Sequence, residues 1–237
     1  MTKAIFLDWF NTLARFEPAR EQLHSQAFQE CGVKVSPEAI LRGLLLADRG
    51  WFEENIRSKV ADRSPEEQAE LGVRYEQTVL GSAGLKAPRE TLLNVLLKVQ
   101  ELYRQGTTFA LFDDVLSTLK TLKAQGFILG LLTNVNRKMD DVCRELGLGP
   151  YLDFIVTSQD VKAEKPQPPV FFAALERAEV NAFEAVHVGD QYNIDVVGAR
   201  GVGINPILID RFDLYPEVTD CPRIRTLPEL AAHLKVL

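Results

Sequence analysis

Five short stretches of this chain are apolar almost without a break: residues 4–7 (AIFL), 127–132 (FILGLL), 154–156 (FIV), 185–188 (AVHV) and 206–209 (PILI). A strand with one wet face alternates apolar and polar residues, so unbroken runs belong to strands covered on both sides. From residue 113 onward, helical stripes separate these runs. Asp113 is placed to cap a helix carrying Val115, Leu116, Leu119 and Leu122, which Gly126 stops. Met139, Val142 and Leu146 form a second stripe ended by Gly147, and Phe171, Phe172 and Leu175 a third. Thr226-x-x-Glu229 opens a last helix with a capping-box pattern. Buried strands alternating with helices predict an α/β fold built on a doubly wound parallel sheet.

Residues 15–110 carry a different signal. Ser36-Pro37 and Ser64-Pro65-Glu66-Glu67 pair an N-cap serine with a proline at the first helical position, and the second also forms a capping box. Leu23, Ala27 and Phe28 make one apolar stripe, Leu71, Tyr75 and Val79 another, and Leu92, Val95, Leu96, Val99 and Tyr103 a third. With no strand signal between them, this region predicts an inserted module of about four helices. The expected division is a core of residues 1–14 and 111–237 and a helical domain of residues 15–110.

Polar groups gather at the carboxyl ends of the strands, where open parallel sheets bind ligands. Asp8 follows the first run, Thr133 and Asn134 the second, and Asp190 the fourth, while Lys165 lies beyond the third. Asp195 falls on the first turn of the helix after Asp190. Any one of these is explained by a turn or a helix cap. Their convergence on one edge of one sheet is not. Three histidines are set apart from this group: His187 as a satisfied core residue, His24 and His233 as solvated helix residues. The spacing of Gly198, Gly201 and Gly203 suits close packing better than dinucleotide binding, because these glycines follow the helix start instead of opening it.

Charge and composition exclude several roles. A formal net charge of −6 over 237 residues offers no general attraction for nucleic acid. No stretch approaches the ~20 apolar residues of a membrane span, and the first apolar run is broken by Asp8, unlike a signal peptide. Cys31, Cys143 and Cys221 have neither disulfide nor zinc spacing. The expectation is a cytoplasmic protein, monomer or homodimer, that binds a small anionic substrate and neither nucleic acid nor membrane.

Four segments in order resemble the motifs of the haloacid dehalogenase (HAD) superfamily. "FLDWFNTL" resembles the first motif, with Asp8 and Thr12; "GLLTN" the second, ending at Thr133 and Asn134; "KPQPPVF" the third, beginning at Lys165. "HVGDQYNIDVVGARGVG" resembles the fourth, with Asp190 and Asp195. The resemblance implies a Rossmann-like core with residues 15–110 as a cap domain. It implies Asp8 as a nucleophile forming a covalent ester that water hydrolyses. Thr133 and Lys165 join it as catalytic residues, with Thr12, Asn134 and Arg49 binding substrate. It also implies Mg²⁺ held by Asp8, Asp190, Asp195 and the backbone carbonyl of Phe10, a hard-oxygen set suited to that ion.

Phe10 is a departure. In phosphatases of this family the residue two after the nucleophile is a second Asp, which protonates the leaving group. General acid–base catalysis is worth ~10²–10⁴-fold. Three expectations follow: a Mg²⁺-dependent phosphohydrolase, a metal-independent 2-haloacid dehalogenase, or a catalytically weak binding protein. Displacing halide needs no leaving-group proton, and an aromatic at this position is compatible with the dehalogenase branch. That branch needs an insert arginine for the substrate carboxylate, for which Arg42, Arg49 and Arg57 are present. Asp190 favours the phosphohydrolase, because dehalogenases of this branch carry a small neutral residue there.

Overall fold

The computed structural model describes residues 1–135 and 138–234. The chain divides into two compact units, one of Met1–Arg15 with Ala110–Leu237 and one of Phe16–Phe109.

The first unit is built on a six-stranded parallel sheet. Its strands are β1 (Ala4–Leu7), β4 (Ile128–Thr133), β5 (Phe154–Thr157), β6 (Ala185–Gly189), β7 (Asn205–Ile209) and β8 (Arg223–Ile224), in the order β5-β4-β1-β6-β7-β8. The chain winds outward from β1 through β4 to β5, then returns to the other side of β1 for β6, β7 and β8. The reversal puts a topological switch point at β1, where side chains from both halves of the sheet can meet. Register is set by Leu7 pairing with Leu131 on one side and Val188 on the other. All four residues of β1 and all five of β6 are buried, as unbroken apolar runs require.

Among the described residues, five α-helices accompany this sheet: α5 (Val115–Ala124), α6 (Asp140–Glu145), α7 (Ser158–Val161), α8 (Pro168–Ala178) and α9 (Val197–Gly201). Phe6, Leu132, Val156, Val170, Phe171 and Ala199 form one shared core. The ring of Phe154 meets Phe6 edge-on at 5.9 Å between centroids, and a Cβ at Gly130 would overlap it. Phe172, on the same α8 stripe as Phe171, points out and is 55% exposed.

The second unit holds four helices, α1 (Arg20–Glu30), α2 (Pro37–Arg57), α3 (Pro65–Ser82) and α4 (Arg89–Gly106). Ser36 caps α2 by accepting from the Ala39 N–H, and Ser64 and Glu67 form a reciprocal capping box on α3. Its core includes Phe28, Ile40, Leu44, Val79, Leu80, Val95 and Val99. Within it lies a polar network: the Arg20 guanidinium holds Asp48 at 2.5 and 2.8 Å and reaches the hydroxyls of Tyr75 and Tyr103.

Several expectations need correction. Two strands, β2 (Ala14–Glu17) and β3 (Thr108–Leu111), pair with each other where the chain leaves the first unit and returns to it. They are short and mostly half-buried; β3 carries the apolar residues Phe109, Ala110 and Leu111, a run the sequence reading passed over. The helix α5 begins after Asp114, not Asp113, and the Asp114 carboxylate makes no capping bond to it, binding Arg211 and the Leu227 N–H instead. The last helix is a 3₁₀ segment, Leu227–His233. His24 is buried, with Nδ1 3.2 Å from Glu76 Oε2, because its face of α1 turns into the helical core.

Candidate active site

Asp8 ends β1 and Asp190 follows β6, the strand hydrogen-bonded beside it; the Asp8 N–H donates to the Val188 carbonyl at 2.8 Å. The two aspartates therefore emerge side by side. Lys165 comes from the loop after β5 and α7, and its Nζ is 2.5 Å from Asp8 Oδ1 and 2.6 Å from Asp195 Oδ1. Its ammonium is buried between these two carboxylates. Asn134 fixes the lysine from the end of β4: its Oδ1 accepts from the Lys165 N–H at 2.7 Å and its Nδ2 donates to the Lys165 carbonyl at 2.9 Å.

Asp195 sits in a π-helical turn, Tyr192–Val196, instead of an ordinary first helical turn. Such wide turns recur at functional sites. Here the turn returns the Asp195 side chain against Gly189, where any Cβ would overlap its carboxylate. Oδ1 of Asp195 accepts from Lys165 and lies 2.9 Å from His187 Nε2, while Oδ2 accepts from the Gln191 N–H at 3.0 Å. The buried His187 therefore bears on the site, as its place in an apolar run concealed.

Ligand oxygens of Asp8, Asp190 and Asp195 lie within 4.8 Å of one another, the only such acidic or thiol–imidazole group among the described residues. At that separation and an effective dielectric of ~20, each pair of unit charges repels by about 3.5 kcal/mol. Three carboxylates against one ammonium leave two negative charges, which is the condition a hard dication relieves. The donor set fits Mg²⁺.

The protonation of these groups follows their surroundings. Burial pushes the Asp8 carboxyl up to about 6, with Lys165 pulling it down and Asp195 pushing it up. Burial, then the charges of Asp8 and Asp195, holds Asp190 well above the usual carboxylate range. Asp195 goes the other way: burial opposes its ionisation, but Lys165 and His187 outweigh that and keep it below the usual range. Burial alone would lower Lys165, and Asp195 and Asp8 instead hold it charged. Burial depresses His187.

A family model described as haloacid dehalogenase-like hydrolase matches residues 2–203. The chain belongs to the haloacid dehalogenase-like hydrolases. It is 33% identical over 229 residues to the human haloacid dehalogenase-like hydrolase domain-containing protein 3, covering 96% of this chain and 90% of that one. The zebrafish protein of the same name is 39% identical over 127 residues, a match spanning about half of each, 52% and 52%. A ribulose-1,5-bisphosphate 5-phosphatase of Halopiger xanaduensis is 36% identical over 102 residues, 43% of each chain. Among solved structures, a HAD-hydrolase of Bacillus subtilis bound to magnesium superposes with a TM-score of 0.66 at 20% identity, covering 99% of both chains. A 2-haloacid dehalogenase from Pseudomonas syringae superposes with a TM-score of 0.56 at 25% identity, covering 98% of this chain and 97% of that one.

Of the residues singled out in the HAD-like motifs, Asp8, Lys165, Asp190 and Asp195 are brought together, with Thr12 Oγ1 3.5 Å from Asp8 Oδ2. Thr133 is buried at the end of β4 and accepts from the Val135 N–H at 3.2 Å, which keeps its own hydroxyl proton as a donor. Both ends of the Asn134 amide are engaged by the Lys165 backbone, so its side chain orients the lysine. Arg49 belongs to the second unit, on α2, where it pairs with Glu53 at 3.5 Å. No helix among the described residues is long and apolar enough to cross a membrane.

Three residues at the site escaped the sequence reading. Asn11, at φ +58°, turns the chain after Asp8 and donates from Nδ2 to Asp190 Oδ2 at 3.2 Å. A left-handed residue just past a strand end is a place where Asn is favoured, which was the available signal. Gln191 and Tyr215 had none, because Tyr215 reaches the site from the loop after β7.

Proposed function

We propose that this hydrolase is a Mg²⁺-dependent phosphohydrolase acting on a small phosphorylated substrate through a covalent ester on Asp8. The observation that carries this reading is the crowding of Asp8, Asp190 and Asp195, with one lysine bridging only Asp8 and Asp195. A dehalogenase has no use for Asp190 there. The phosphatase name of the Halopiger relative supports the same class of substrate.

Mg²⁺ would be held by Asp8, Asp190 and the Phe10 carbonyl, with Asp195 behind them and waters completing the shell. When bound, it supplies charge neutralisation and polarises a phosphoryl oxygen. The remaining work belongs to the chain. The Asp8 carboxylate attacks phosphorus, the bond to the leaving oxygen breaks, and water then cleaves the aspartyl phosphate. Lys165 keeps the nucleophile in place and offsets part of the anion–anion repulsion, about 4 kcal/mol per unit pair at ~4 Å and a dielectric of ~20. The Thr133 hydroxyl, whose oxygen accepts from the Val135 N–H and whose proton stays free to donate, holds a second phosphoryl oxygen. Asn134 and Asp195 are positioning residues for Lys165. The second unit, residues 16–109, corresponds to the cap domain that the family resemblance implies, and Arg49 lies on its helix α2.

Phe10 leaves the first motif with no acid, so leaving groups that depart as anions, such as aryloxide or acyl carboxylate, are turned over fastest. The same residue favours a second reading, a 2-haloacid dehalogenase, and the fold shared with the Pseudomonas enzyme is compatible with it. An aryl phosphate and 2-chloropropionate, each assayed with Mg²⁺ and with chelator, separate the two. The expected result is phosphate turnover that chelator abolishes. Haloacid turnover in chelator would replace the proposal with the second reading.

A further inference from the structure

The two oxygens of Asp190 are in unlike surroundings. Oδ2 accepts from two side-chain amides, Asn11 Nδ2 at 3.2 Å and Gln191 Nε2 at 3.1 Å. These donors approach from different parts of the chain: Asn11 from the turn after β1, Gln191 from the entry to the π-helical turn. Gln191 is itself buried and fixed from behind, because its Oε1 accepts from the Tyr215 hydroxyl at 3.3 Å. Tyr215 is 2% exposed, and its N–H donates to Asp210 Oδ2 at 2.9 Å; Asp210 in turn is held by the Leu214 N–H and by Arg223. The chain of contacts runs from β7 and its loop to a single oxygen of Asp190.

We propose that Asn11 and Gln191 clamp Oδ2 of Asp190, braced by Tyr215, and thereby reserve Oδ1 for the divalent cation that Asp190 shares with Asp8. The inference rests on the Mg²⁺ reading above and adds three positioning residues to it. A carboxylate with two equivalent free oxygens turns about its χ2 and presents either one. Two amide donors on the same oxygen remove that freedom, and a ligand held in advance loses less entropy on binding metal. Once Asp190 is ionised, as a metal ligand is, it accepts and does not donate, so both amides can offer it only N–H. Residues that orient a metal ligand from behind typically contribute ten- to a hundredfold to affinity.

Asn11→Gly is the cleanest probe, since glycine adopts the φ of +58° without strain and only the amide is removed. Gln191→Leu removes the second donor, and Tyr215→Phe removes only the brace. Mg²⁺ affinity of the full chain is measured by titration calorimetry, with the melting temperature in chelator as a control on folding. The expected result is a Kd raised about tenfold or more in Asn11→Gly and Gln191→Leu, and less in Tyr215→Phe, with metal-free melting temperatures close to wild type. Wild-type affinity in both amide variants would overturn the clamp while leaving the metal reading in place. A wild-type chain that binds no Mg²⁺ would remove the metal reading and the clamp together.

Discussion

Replacing Asp8 with asparagine should abolish turnover and, in the absence of metal, make the protein more stable. Asparagine keeps the shape of the side chain and an oxygen that accepts from Lys165, but it removes the charge. In the fold the Asp8 carboxyl titrates at about 6, against 3.8 for an unperturbed aspartate. At 1.36 kcal/mol per pH unit, ionising it in the fold is harder than in the unfolded chain by about 3 kcal/mol. The sign follows from the raised value: below about pH 4 both states are protonated and nothing is lost, and stability falls as pH rises toward 6. Above 6 the loss is complete. Asp8→Asn escapes it, so the difference between variant and wild type should be near zero at pH 4 and plateau above pH 6 to 7. For a chain of this size, about 3 kcal/mol corresponds to about 6–12 °C in melting temperature. Thermal melts in chelator across pH 4–8 measure it directly. Added Mg²⁺ should reverse the order, because it stabilises only the chain that binds it. A variant that melts below wild type at pH 8 in chelator, or a difference independent of pH, would refute the electrostatic account of the site.

Other perturbations test other parts of the molecule. Phe10→Asp should raise the rate on alkyl phosphates by up to ~10²–10⁴-fold if the missing proton donor limits turnover, and steady-state kinetics on matched alkyl and aryl phosphates would reveal it. Asp48→Ala should destabilise the helical unit by up to about 3 kcal/mol, because it leaves the half-buried Arg20 guanidinium without its counter-charge and with only the Tyr75 and Tyr103 hydroxyls, as denaturant unfolding would measure. Cys143 is 2% exposed and burial pushes its thiol up to about 11, so in mass spectrometry after brief iodoacetamide treatment at pH 8 it should remain unmodified.

Much of this protein was legible before any coordinates. The buried strands announced themselves because a parallel sheet covered on both faces leaves no room for polar residues, and β1, β4 and β6 tolerate few besides His187. The helix starts at Ser36 and Ser64 were legible because capping is a local bargain between a side chain and the N–H groups three residues on. The motif residues stood out together, because a turn or a cap explains one polar group at a strand end but not their convergence on one sheet edge.

What remained hidden depends on contacts between distant segments. The β2 and β3 pair is separated by the whole helical insert, and strands of four residues are too short for their pattern to announce a partner. The sequence separated His187, in a buried strand, from His24, on a helix, yet both are buried beside a carboxylate, one 2.9 Å from Asp195 and the other 3.2 Å from Glu76. The clamp on Asp190 joins Asn11, Gln191 and Tyr215 across 180 residues of sequence and more. The chain alone determined which residues carry charge to the sheet edge, since hydrophobic burial acts residue by residue along a strand. Only the tertiary structure decided which oxygen of each carboxylate is held and which is left open, because hydrogen-bond direction is set by where separate segments meet.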